Sequence, residues 1–161
     1  MDAMIYTSYG PPEVVHRKAV DKPAPRDNEV LVRVDAAVIS RGDCIAREGS
    51  PVSIRLATGL IRPRKPILGT NLAGEIEAVG KAVTQFKPGD QVFAATGVEF
   101  GAHAEYLCLP EGWGAGGEAG RCDVCGGSRH LRGGVTALPF LRDHGKIQPG
   151  HHVLTNGASG A

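Results

Sequence analysis

The chain has 161 residues, enough for one domain or for one domain and part of another. Its composition, 42% hydrophobic and 22% charged, is that of an ordinary globular protein, and 18 Lys and Arg against 17 Asp and Glu leave a net charge of +1, too weak a field to gather nucleic acid. No apolar run approaches the ~20 residues that span a bilayer, the N-terminus lacks a basic-then-apolar leader pattern, and four cysteines are too few and too scattered for a secreted disulfide scaffold. The expectation is a cytoplasmic protein with neither nucleic acid nor membrane as partner.

Residues 3–9 are apolar and end at Gly10-Pro11-Pro12, a strand followed by a turn. Residues 14–20 predict a second strand, and the two prolines of 22–28 a loop. From Val30 to Val38 apolar residues alternate with period two, the clearest strand in the chain. Residues 40–48 predict a short helix with Ser40 as its cap and Gly49 as its stop. Asp43 and Arg47, four apart, are placed for a helical ion pair. Residues 54–61 read as weakly helical or loop, and Arg62-Pro63-Arg64-Lys65-Pro66 as an extended, solvated loop. Strands follow at 71–79, 91–95 and 104–109, with a Pro-Gly turn at 86–90. Residues 135–144 predict a helix, stopped by Gly145, and 152–155 a buried strand that runs into Gly157-Ala158-Ser159-Gly160-Ala161. Many short strands and little helix predict a mainly β protein, a small barrel or sandwich.

Several segments, in order, resemble the medium-chain dehydrogenase/reductase superfamily in its zinc-independent quinone oxidoreductase branch. They are Tyr9-Gly10-Pro11-Pro12-Glu13-Val14, Asn28-Glu29-Val30-Leu31-Val32, Gly42-Asp43 with Arg47 and Gly49, Pro66-Ile67-Leu68-Gly69-Thr70, Ala73-Gly74-Glu75, Phe86-Lys87-Pro88-Gly89-Asp90-Gln91-Val92, and Gly101 with Ala104-Glu105-Tyr106. The resemblance implies a GroES-like, partly open β-barrel over residues 1–131 and a truncated α/β Rossmann start over 132–161. It also implies NADP(H) as cofactor and a small quinone or enone as hydride acceptor. A strand entering Gly157-x-x-Gly160 supports this, because glycines let backbone approach a pyrophosphate at a helix N-terminus. The third glycine of that loop lies beyond Ala161. The chain is therefore expected to be an N-terminal fragment, inactive alone, with homo-oligomers possible only through the missing Rossmann domain.

The cofactor-binding candidates are Ser40, Asp43, Thr136, Gly157, Ala158, Ser159, Gly160 and Ala161. Ser40 stands where the branch often carries an Asn near the nicotinamide, and Thr136 resembles a threonine near its ribose. No catalytic residue is assigned, since no Ser-His-Asp or Cys-His spacing occurs. No metal is expected. Zinc-dependent relatives place Cys and His where this chain has Ser40 and Thr70, poor zinc ligands, and Cys122-x-x-Cys125 is only half of a structural site. The competing readings are a non-catalytic GroES-like module or remnant and a fragment of a zinc-type alcohol dehydrogenase.

Glycine is unevenly spread: nine of the 23 lie in residues 112–134. In the family this stretch leads through Lys-Pro-Ala to a Glu-Ala-Ala-Ala helix. Read one base later, the codons of Glu118 and Ala119 give Lys or Arg, Asp123 into Val124 forces Met or Thr, and His130 forces Ile or Thr. The shifted string permits Lys-Pro-Ala-Gly-Val-Thr-Tyr-Ala-Glu-Ala-Ala-Ala-Ile. Two compensating frame changes are the expected cause, with a natural glycine-rich insertion as the alternative.

Overall fold

The computed structural model describes residues 1–112 and 140–154. Strand β1 (Asp2–Ile5) pairs antiparallel with β2 (His16–Ala19), and the Pro12–Val14 segment between them forms a 3-10 turn. β1 ends sooner than its apolar run, because the Tyr6 N–H donates to Pro66 O at 2.9 Å and leaves the hairpin. β3 (Glu29–Val38) is the ten-residue centre of the second sheet. It is followed by α1 (Arg41–Glu48), α2 (Ile54–Thr58), β4 (Asn71–Val79), β5 (Gln91–Ala95) and β6 (Tyr106–Pro110).

The larger sheet runs β5-β4-β3-β6, antiparallel throughout. Two register shifts in the β3–β4 ladder, at Leu31/Val32 and Val34/Ala36, bend it, as bulges do. Isolated bridges, Ala3 to Ala104 and Ile5 to Ile67, fasten β1 alongside. The two sheets do not merge into one continuous ladder, so the mainly β architecture is a partly open barrel. Val30, Val32, Leu72, Ile76, Val92, Ala94, Ala102 and Leu109 fill its core. Glu111 ties the 84–85 turn to the end of β6. Its carboxylate accepts the Gln85 and Thr84 N–H groups, which hold its pKa below the usual value.

Of the helix expected at 135–144, residues 140–144 are described, and they form one π-helical turn closed by Ile147 N–H donating to Leu141 O. The strand expected from residue 152 is not formed at His152, Val153 or Leu154. A strand exists only through a neighbour that takes up its backbone groups, and no described segment pairs there. Thr155, Thr136, Gly157, Ala158, Ser159, Gly160, Ala161 and residues 113–132 lie outside the described residues.

Candidate functional site

The sequence shapes the start of α1 tightly. Ser40 is its N-cap, with an extended backbone, and a capping box joins it to Asp43. The Asp43 N–H donates to Ser40 Oγ at 3.4 Å, and the Ser40 N–H donates to Asp43 Oδ2 at 2.7 Å. The other end closes at Gly49, left-handed at φ +63°, where a Cβ would stand 2.7 Å from the Tyr9 ring. Both ends of the helix were legible in the sequence.

Asp43 does more than cap. It is 2% exposed, and both of its carboxylate oxygens accept hydrogen bonds within the protein. Oδ2 also accepts the Ser40 hydroxyl at 2.7 Å, while Oδ1 accepts the Gly69 N–H at 3.1 Å. One buried carboxylate thus joins the N-terminus of α1 to the corner that leads into β4. The expected ion pair with Arg47 is not made, because these donors already occupy the carboxylate. Arg47 reaches Glu48 instead, at 2.7 Å.

The Gly69-Thr70 corner is gripped from two further sides. Gly69 O accepts Ala102 N–H and the Thr96 hydroxyl, and Thr70 O accepts Thr96 N–H at 2.7 Å. Thr96 is fully buried there. Gly69 sits at φ +97°, and a Cβ would lie 2.6 Å from His103 Cδ2 and 2.7 Å from its backbone N. Only glycine fits that conformation and that closeness.

What this frame presents is two half-buried hydroxyls, Ser40 and Thr70. The Ser40 proton is committed to Asp43. Thr70 Oγ1 accepts from the buried Asn71 carboxamide at 3.1 Å, so its own O–H remains available to donate to an oxygen outside. Thr70, Asn71, Gly69 and Thr96 are absent from the sequence-derived list of cofactor contacts. A separation of 26 residues between Asp43 and Gly69 hides the link from any local pattern. Among the described residues no group of three or more His, Cys, Asp or Glu is placed to hold a metal ion.

Two shallow clefts elsewhere are less suited to chemistry. One, of about 370 Å³, lies between β1, the middle of β3 and residues 102–105. Its charges are spent on one another: Arg17 pairs with Asp2, Asp35 with Arg33, and Glu105 accepts the Asp2 N–H. The other, about 530 Å³, runs from residues 64–67 to β6, and its Lys65 is paired with Glu99.

Residues 26–137 match the family model of the alcohol dehydrogenase GroES-like domain. The quinone oxidoreductase of Sus scrofa is 36% identical over 99% of this chain and 46% of its own length. The solved quinone oxidoreductase of Coxiella burnetii superposes with a TM-score of 0.77 at 27% identity, covering 92% of this chain and 46% of that one. The Escherichia coli quinone oxidoreductase complexed with NADPH shares the fold, with a TM-score of 0.75 at 24% identity over 92% and 43% of the two chains. The chain spans about half the length of these relatives.

Proposed function

The chain belongs to the alcohol dehydrogenase GroES-like domain family, in the quinone oxidoreductase-like branch of the medium-chain dehydrogenases/reductases; on that premise we propose that it supplies the substrate-covering half of an NADP(H)-dependent, metal-free reductase of quinones or enones. The observation that carries this reading is the hydroxyl pair. At the positions where the resemblance places Cys and His ligands in zinc enzymes, the chain holds Ser40 and Thr70. Both are rigidly supported, and neither is a good zinc ligand.

Residues 1–131 form the covering domain in this reading, and residues 132–161 begin a nucleotide-binding domain. NADP(H), when bound, supplies the hydride. The chain's own part is to hold the acceptor and stabilise charge as it develops. The Thr70 hydroxyl, oriented by Asn71, donates a hydrogen bond to the acceptor's carbonyl oxygen, which becomes negative as hydride arrives. In this reading Ser40 stands beside it at the reacting end of the cofactor, its hydroxyl proton held by Asp43. Asp43 acts as a positioning residue, since its carboxylate is wholly engaged inside the protein. Thr136, Gly157, Ala158, Ser159, Gly160 and Ala161 are proposed to meet the ribose and phosphates, and the cytoplasm is the proposed location.

These 161 residues by themselves are proposed not to turn over. Hydride transfer needs donor and acceptor held near contact, and remote binding energy from the whole cofactor enforces that. The test is quinone-dependent NADPH oxidation, measured on this chain and on a chimera in which it replaces the matched half of the Sus scrofa enzyme. Turnover is expected in the chimera only. A chimera that folds and binds NADPH yet reduces no quinone or enone would overturn the reading. Zinc-dependent alcohol oxidation would replace it with the alcohol dehydrogenase alternative.

A further inference from the structure

Residues 52–65 present apolar and basic side chains to solvent together. Four apolar side chains are exposed, Val52 at 72%, Leu56 69%, Leu60 62% and Ile61 86%, while Ile54 is half-buried. Its polar groups fasten it from the inside. The Tyr9 hydroxyl meets Thr58 Oγ1 at 2.8 Å and donates to Gly59 O at 2.5 Å. Arg55 Nε donates to Gly49 O at 3.0 Å, with its guanidinium 4.6 Å from the centre of the Tyr9 ring. Arg64 N–H donates to Thr58 O at 2.8 Å.

The charge pattern says what such a crest meets. From Glu48 to Glu75 the chain carries Arg55, Arg62, Arg64 and Lys65 and not one carboxylate between them, although the whole chain has a net charge of only +1. Arg55 is held inside and Lys65 pairs with Glu99. Arg62 and Arg64 are exposed and make no ion pair among the described residues. They directly follow the exposed Leu60 and Ile61. Apolar tips beside arginines that no carboxylate opposes are complementary to an acyl boundary roofed by anionic headgroups.

We propose that this crest docks the protein on the surface of an anionic lipid bilayer, with Leu60 and Ile61 entering the acyl boundary and Arg62 and Arg64 meeting the phosphates. Such docking departs from the sequence-based expectation of no membrane partner, which rests on the lack of a spanning segment. The inference stands apart from the proposed reductase activity.

The experiment is co-sedimentation of the full 161-residue chain with vesicles of phosphatidylcholine alone and of phosphatidylcholine with phosphatidylserine. Binding is expected only with phosphatidylserine and is expected to weaken with salt. Leu60→Ser/Ile61→Ser should lower the partition coefficient at least ~10-fold, and Arg62→Gln/Arg64→Gln about 5-fold per charge. Leu154→Ser, an exposed apolar residue outside the crest, should change nothing. Thermal melting confirms that each variant is folded, and Ile61→Asp alone repeats the apolar test if the double variant is not. Equal binding to neutral vesicles, undiminished binding by the apolar variants, or no binding by folded wild-type chain would each overturn the proposal. So would self-association in sedimentation velocity that the apolar variants abolish without any vesicle binding, which would assign the crest to a second copy.

Discussion

The buried carboxylate of Asp43 accepts the N–H of Gly69 at 3.1 Å while its other oxygen takes both donors of Ser40. This single group sets the distance between a helix N-terminus and the corner that carries Thr70. Asp43→Ala removes the acceptor for three donors and half of the capping box. The expected loss is about 3 kcal/mol, from the cap and the buried donors left unpaired. Urea unfolding checks it. Asp43→Asn, which keeps one acceptor oxygen, should lose less.

Gly69→Ala tests the other end of the same link. The φ of +97° and the closeness of His103 both oppose a side chain. A destabilisation of about 2 kcal/mol or more is expected. Adding His103→Ala should recover little of it, because the His103 backbone N stays 2.7 Å from the new Cβ. Full recovery in the double variant would show that the ring alone was the obstacle.

Tyr6 gives the pH dependence a definite sign. It is 2% exposed, and burial, with a smaller contribution from Tyr9, raises its phenol to about 12. The folded state therefore holds this proton more tightly than the unfolded chain, whose phenol ionises near 10. The corresponding stability is intact below about pH 10 and is lost as pH rises towards about 12, an effect of about 2–3 kcal/mol. Unfolding curves across that window should show the fall, and Tyr6→Phe should flatten it.

The gene offers a separate check on residues 112–132. Its nucleotides, read one base later, are expected to recover the alanine-rich string. An Ala119 codon other than GCC, which excludes Pro, or a Gly126 codon other than GGA, which excludes Glu, would leave a natural glycine-rich insertion in its place.

Local signals were the legible ones. β4 and β5 match their expected limits because turn glycines bound both runs. The helix at Ser40 announced itself by its cap and its terminal glycine. What escaped was long-range or directional. Composition gave no hint that Asp43 would turn to Gly69 rather than to Arg47. Nor did it show that Leu60 and Ile61 would face outward while Tyr9 held the polar side of their loop. The strand expected at His152 failed for a similar reason: an apolar run states a propensity, but a ladder needs a partner.

A metal-free hydroxyl site, with Thr70 as donor, is proposed to cover the reacting end of NADP(H). The direct measurement is kcat/KM for reduction of 1,4-benzoquinone by the chimera described above, with and without Thr70→Val and with a zinc chelator present. Turnover is expected to be indifferent to the chelator, and kcat/KM is expected to fall about 100-fold in the valine variant, as for loss of one donor to a developing oxyanion, with NADPH affinity unchanged. Activity abolished by the chelator, or a Thr70→Val chimera as fast as its parent, would contradict the proposal.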